Sequence, residues 1–410
     1  LVVYLRCEFV ARDLDSRLLI AAYLLKAGQS VVVGQMWNIS ANVGHSPVGP
    51  MLYSSANLFQ GRDMERSRSA GYPVLAMDEE VLALAGEQEI VRCMHPLTAL
   101  ACDEFLFHDA KHQALLRQVY PSLPGKITGN PRVELLTKYK SIYEPEARRC
   151  KKAGKYILIN TNFSLVNSVW GSLAEARSVA LNSLDPDDEE SAKDLEYTIA
   201  KQTADFEAIG TLIDAISKRL PSYRIVVRPH PSESPDAWKK YHGVEVVTSS
   251  NPLPWMLGAE LLVHTGSTTG FEAVLLGTPC INVGMPHEYF NLARMNCSIS
   301  DTQLAVEAVM SFMQDRQGPI AAFKVPHGDL VMDGAKNIAN ALLETAQAIS
   351  EDVPIASWGT APRLEAEKGK FSVSLNLFLS RINAICAPIV GAKLDVTPLD
   401  DSVFLISRLD

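Results

Sequence analysis

The sequence predicts an α/β protein of two Rossmann-like domains facing each other across a cleft, and three observations carry that prediction. The chain has 410 residues, more than one ordinary core of roughly 100–200 residues organises, so two domains are expected. Short β-branched runs alternate with helical patterns on both sides of the midpoint, which is the grammar of parallel βαβ units. Between Tyr139 and Lys155 the composition shifts to Lys, Arg, Glu and Tyr, as in a connection between domains. The expected division is residues 1–145 for the first domain, 146–350 for the second, and 351–410 for a helical tail.

The elements follow in order. Val2 to Leu5 is a strand; Asp13 to Ala27 has apolar residues at 14, 18, 19, 22 and 25 and ends at Gly28, where a C′ glycine belongs; Ser30 to Val33 is the next strand. Met51 to Tyr53 is a strand, Arg62 to Ala70 a helix, and Pro73 to Met77 a strand that runs into Asp78-Glu79-Glu80. Glu104 to Phe107, the helix Ala110 to Val119 and the short strand Lys126 to Thr128 complete the first series before Gly129-Asn130-Pro131. The second series begins at Tyr156 to Ile159 and passes an acidic run, Asp185 to Glu190, that reads as a solvated insertion. A helix over Ser191 to Leu220 precedes strands at Arg224 to Val227, Val244 to Val247, Leu261 to Val263 and Cys280 to Val283. Between the last three lie helices near Pro254 to Leu257 and over Phe271 to Leu276, and two more follow at Thr302 to Met313 and Ala335 to Ile349. Phe371 to Ile389 is expected as a helix that packs back on the first domain or meets a partner or membrane surface.

Composition narrows the function. An apolar content of 47% excludes a disordered chain. A net charge of −9 argues against a nucleic-acid binder, which needs a basic surface. The longest apolar stretch, Leu18 to Leu25, is far short of the ~18 residues of a membrane helix. Leu1 to Leu5 meets charge at once in Arg6 and Glu8, so no signal peptide is expected. The seven cysteines are scattered without a CxxC spacing, as in a reduced, cytoplasmic protein without structural zinc. No divalent metal and no cofactor are expected.

In an open parallel sheet, ligands bind beyond the carboxyl ends of the strands. The candidates there are Asn160-Thr161-Asn162, Arg228-Pro229-His230-Pro231 and His264-Thr265-Gly266-Ser267-Thr268-Thr269. A glycine turn followed by hydroxyl residues at a helix start offers N–H and O–H donors to a phosphate, or simply caps the helix. The GK[ST] of a P-loop is absent, which weakens an NTPase reading. His230 is stiffened by proline on both sides, with Arg228 supplying a cation; the plainer alternative is a surface turn histidine. In the first series Glu8 with Arg12, and Asp78-Glu79-Glu80, follow strands. They are candidates for general-base or nucleophile work, or for helix N-terminal acids that complement the dipole.

Several segments together resemble the bacterial surface carbohydrate biosynthesis proteins, a family of the GT-B type. They are Glu8 with Arg12-Asp13-Leu14-Asp15, Val74 to Glu80, Thr128-Gly129-Asn130-Pro131-Arg132, Ile157 to Ser164 with Val166-Asn167, Val226 to Ser232, and His264 to Glu272. Val81 departs from the glycine expected after the acids. The His-Pro element and the Ser/Thr cluster also resemble transferases that use CMP-activated acidic sugars of the sialic-acid and Kdo type. That resemblance implies His230, with Asn160, Asn162, Arg228 and Pro231, on the nucleotide; Gly266, Ser267, Thr268 and Thr269 around its phosphate; and Glu272 at the ribose. It implies Asp78 or Glu79, then Glu8, as base or nucleophile, and Arg12, Arg228 and Asn130 near the acceptor or the sugar carboxylate. A single phosphate needs no metal when a histidine and a helix N-terminus meet it.

The leading expectation is therefore a metal-independent glycosyltransferase. It would move an acidic sugar from CMP to a surface polysaccharide or lipid-linked acceptor in the cytoplasm, with a peripheral membrane contact. Alternatives are an enzyme like UDP-N-acetylglucosamine 2-epimerase, a CDP-glycerol-type polymer transferase, and a non-enzymatic envelope-assembly scaffold.

Overall fold

The computed structural model describes residues 2–79, 87–181, 189–248, 251–284, 298–316, 330–349, 358–359 and 373–409. Glu80, Val81 and most of the acidic run 185–190 lie outside them. The chain divides into two compact units, one of Leu1–Leu82, Glu87–Ile142 and Pro326–Asp410, the other of Ala83–Gly86 and Tyr143–Val325.

Unit 1 opens with β1 (Val2–Cys7), α1 (Val10–Lys26), β2 (Ser30–Gln35), α2 (Met36–Ala41), β3 (Met51–Tyr53), α3 (Leu58–Ser69) and β4 (Val74–Ala76). It continues through α4 (Glu87–Arg92), α5 (Pro96–Ala101), β5 (Glu104–Phe107), α6 (Ala110–Val119), β6 (Gly125–Ile127) and α7 (Pro131–Lys138). The six strands are parallel in the order β2-β1-β3-β4-β5-β6. Residues of β1 to β4 are almost all buried, as continuous apolar runs covered on both faces should be, whereas those of the edge strand β6 are not. The order reverses at β1, so the loops after β1 and β3 flank the switch point.

Unit 2 comprises α8 (Glu144–Lys151), β7 (Tyr156–Asn160), α9 (Leu173–Leu181), α10 (Glu189–Arg219), β8 (Arg224–Arg228), α11 (Asp236–Lys239) and β9 (Val244–Val246). Then follow α12 (Pro252–Gly258), β10 (Leu261–His264), α13 (Thr268–Leu276), β11 (Cys280–Val283), β12 (Ser298–Ile299) and α14 (Thr302–Asp315). The sheet is wholly parallel in the order β12-β11-β10-β7-β8-β9, the 3-2-1-4-5-6 arrangement with its switch point between β7 and β10. Its core joins Ile157, Ile159, Val227 and Val263 of the sheet to Ile209, Leu212 and Ile216 of α10 and to Val306 and Val309 of α14.

The connection at 139–155 is largely helical, and α8 packs against α12 of unit 2. Its charged residues line an exposed amphipathic face; Ala147 is its buried residue.

The C-terminal part departs from the expected division. The helix α15 (Gly334–Gln347), assigned above to the second domain, packs against α1 and α7 of unit 1. Glu134 accepts the N–H groups of Ala335 and Lys336 at 2.8 and 3.2 Å, fixing its start. The tail is not simply helical: α16 (Leu375–Val390) is followed by β13 (Leu394–Asp400) and β14 (Val403–Arg408). β14 adds antiparallel to the exposed edge of β2, and β13 to β14, so the sheet of unit 1 has eight strands. Gly34 is required here, because a Cβ on it would lie 2.5 Å from the Ser402 carbonyl oxygen. α16 lies on α1, with Arg381 at 3.5 Å from Asp15 and the Cys386 thiol donating to the Leu18 carbonyl at 3.2 Å.

Candidate functional site

The parallel register of unit 2 aligns the last residues of β8, β7 and β10 with the last but one of β11. Arg228 pairs with Asn160, Asn160 with His264, and His264 with Asn282. A polar row therefore crosses the sheet at its carboxyl edge, centred on the switch point, where apolar residues fill the layers beneath. The loops beyond it are built to hold donors outward. Gly266 has φ +77°, open to glycine at no cost, and its N–H donates to Asn282 Oδ1 at 2.7 Å. Ser267 caps α13 by accepting the Thr269 N–H, and His264 Nδ1 accepts the Ser267 N–H, both at 3.3 Å. Among the described residues Asn160 Oδ1, Thr265 Oγ1 and Thr269 Oγ1 are buried here without a hydrogen-bond partner. An unsatisfied buried polar atom costs about 1–3 kcal/mol. Glu272 is buried one turn into α13.

The loop after β8 is organised by a residue that sequence reading missed. Glu233, 2% exposed, accepts the His230 N–H at 2.9 Å and the Thr161 hydroxyl at 2.8 and 3.0 Å. Its Oε2 also accepts the Asn167 amide at 3.3 Å. Burial pushes this carboxyl above the usual range, while the donors around it oppose the rise. The signal was its spacing, three residues after His230 across a proline turn. His230 is exposed, and its Nδ1 accepts the Ser232 N–H at 3.2 Å, so the neutral ring carries its proton on Nε2. Arg228 is lowered to about 10 by burial, with Cys150 and Tyr156 as the groups that favour its charge. Its guanidinium thus belongs to the α8 side of the sheet. Asn162 is half-buried and Pro231 exposed in these same loops.

In unit 1 a cavity of about 380 Å³ opens at the switch point, lined by Glu8, Arg12, Asp78 and Glu79 together with Ser54, Ser55, Asn57, Leu58, Arg92, Cys93 and His95. Four of the sequence candidates for this side, Glu8, Arg12, Asp78 and Glu79, meet in one place. Ser54 and Ser55 follow β3, where the strand-end rule would have found them.

The carboxylates differ in what holds them. Glu79 Oε1 receives Nη1 of Arg17 at 2.7 Å, and Arg17 is fully buried, its Nε bound to the Arg6 carbonyl at 3.0 Å. Burial opposes the Arg17 charge, but Glu79 and Asp13 raise its pKa above the ordinary value. Glu79 is therefore engaged in a buried ion pair with Arg17, while Asp78, the other candidate after this strand, is 3% exposed at the cavity wall.

Arg12 is paired with Asp13 at 2.6 Å and with Glu8 at 3.3 Å. Asp13 accepts the N–H groups of Glu8 and Phe9 at 2.8 and 3.0 Å. Burial opposes its charge, yet Arg12, Arg17 and these donors hold its carboxyl below the usual range. Asn130 is buried as the N-cap of α7, accepting the Arg132 N–H at 2.8 Å, so it shapes the fold and lies outside the cavity lining.

Two spacings formally match metal-ligand patterns that the sequence reading passed over, Asp13-Leu14-Asp15 and His108 with His112. Asp13 is held by arginines and Asp15 lies beside Arg381. His112 Nδ1 accepts the His108 N–H at 3.2 Å. Among the described residues no cluster of three or more His, Cys, Asp or Glu could hold a metal ion, and no helix is long and apolar enough to cross a membrane.

No protein-family model and no curated protein matches the chain. Among solved structures it is similar to UDP-GlcNAc 2-epimerase of Methanocaldococcus jannaschii, in complex with UDP-GlcNAc and UDP. The identity is 13% and the TM-score 0.54, covering 84% of this chain and 99% of that one. The UDP-GlcNAc 2-epimerase of Neisseria meningitidis gives 13% and 0.51 over 84% and 99%. The wall teichoic acid polymerase TagF gives 10% and 0.51 over 85% and 89%. The fold is of the GT-B type. At these identities the likeness establishes the α/β architecture with its two Rossmann-like units; the chemistry rests on the residues.

Proposed function

We propose that the chain is a nucleotide-sugar enzyme. Unit 2 would bind the nucleotide at its strand ends, and the unit 1 cavity would hold the group that reacts with the sugar. The observation that carries this is the polar row Arg228-Asn160-His264-Asn282 below the Ser267-capped start of α13. Free N–H groups at a helix start favour a phosphate, and Nε2–H of His230 gives a further donor. With His230 and the start of α13 to meet it, the leaving group reads as a monophosphate, as the resemblance to CMP-sugar transferases implies, so the reading is transfer of an acidic sugar from CMP to a glycan or lipid-linked acceptor. Asp78 would take the acceptor proton. This agrees with the motifs shared with surface carbohydrate biosynthesis proteins.

A second reading has an observation of its own. The similar structures are UDP-GlcNAc 2-epimerases and a teichoic acid polymerase solved with CDPG, so a UDP-sugar epimerisation or a CDP-polyol transfer would use the same fold.

Melting curves with CMP, CDP, UMP and UDP separate these, because a ligand of the native state raises Tm by mass action. CMP should stabilise the chain, and His230→Ala should abolish the shift. A response confined to UDP would replace the CMP reading with the epimerase one, and a silent panel would leave a scaffold.

A further inference from the structure

Trp170 is 57% exposed, and its neighbours Val169 and Leu173 are also exposed, at 49% and 42%. By contrast Trp238 and Trp255 pack against other rings, whereas among the described residues Trp170 meets none. The segment that carries it is firmly held. Ser168 forms a β-bridge with Glu233, and the Val169 N–H donates to the Ser232 carbonyl at 3.0 Å. The Trp170 N–H donates to Ser168 Oγ at 3.1 Å. Immediately after it, Gly171 turns at φ +113°, and Ser172 with Glu175 forms a reciprocal cap that starts α9.

The anchoring residues are those of the nucleotide loop. Glu233 orients the His230 backbone, and Ser232 both donates to the His230 ring and receives Val169. An exposed indole on an anchored backbone thus stands on the His230 side of the polar row, while the phosphate donors stand at α13. We propose that Trp170 is a stacking platform for a ring of the bound ligand, a role that rests on the nucleotide reading above. A flat π-face accepts either a nucleobase or the C–H face of a sugar ring, and neither demands hydrogen bonds from an apolar patch.

Calorimetric titrations of the full chain with CMP, CMP-sialic acid, UDP and UDP-GlcNAc test this. The variants are Trp170→Ala, Trp170→Phe and His230→Ala. Trp170→Ala should weaken binding roughly 5- to 100-fold, and Trp170→Phe should restore most of it. A loss already seen with CMP or UDP assigns the base to the indole; a loss confined to the sugar nucleotides assigns the sugar ring. If the wild type binds one of these ligands and Trp170→Ala binds all of them equally well, stacking is overturned while the site, reported by His230→Ala, stands. If the wild type binds none, the nucleotide reading and this inference fall together.

Discussion

Asp78 and Glu79 are neighbours in sequence, and both line the cavity of unit 1. Both follow β4, so the strand-end rule found them, yet nothing local could show that Glu79 is bound to a buried arginine. That partner, Arg17, is 62 residues away on α1. Arg12 is likewise paired, with Asp13 and Glu8. Removing Glu79 would leave the fully buried Arg17 without its carboxylate. Glu79→Ala is therefore expected to cost about 3–5 kcal/mol, read from urea unfolding. Asp78→Asn should instead leave the nucleotide-induced Tm shift intact while ending turnover. An unchanged urea midpoint for Glu79→Ala, or retained turnover in Asp78→Asn, would reverse these assignments.

At the scale of elements, periodicity placed most strands and helices because their partners are near in sequence. It missed β13 and β14, where Pro398 argues against a strand and the pairing partner, β2, lies at the other end of the chain. In the site, Ser267 and its glycine turn were legible, but Glu233 was not, since its role depends on loops from two strands. The helix α6 carries a consequence for pH. His112 packs edge-on against Phe105 and Phe107, with ring centroids 5.8 and 5.7 Å away. Burial, aided by His108, pushes its pKa down to about 2. Below the ordinary value of about 6.5 the unfolded chain takes up a proton that the folded one refuses, so stability is complete above that pH and falls beneath it. For His112 alone the loss reaches about 2 kcal/mol at pH 5. Buried His108, also lowered by burial, adds to it. Urea midpoints at pH 7.5 and 5.0 measure this, and a midpoint unchanged between them would contradict the buried neutral pair.

For the whole molecule, length and rhythm announced two α/β units, but the chain's return to the first could not be read from local pattern. That return matters energetically because the tail supplies both a strand and a helix to unit 1. Phe378 of α16 is fully buried and stacks on Phe404 of β14, with ring centroids 3.9 Å apart and planes at 19°. Truncating it opens a cavity under both elements at a cost of about 3–5 kcal/mol. The chain divides into two compact units, the setting in which unfolding departs from two-state behaviour. Phe378→Ala should lower the melting of unit 1 while the transition of unit 2, the one proposed to respond to nucleotide, keeps its position. Calorimetry with and without CMP distinguishes the two, and a responsive transition that falls with the other would show that unit 2 depends on the tail for its own stability.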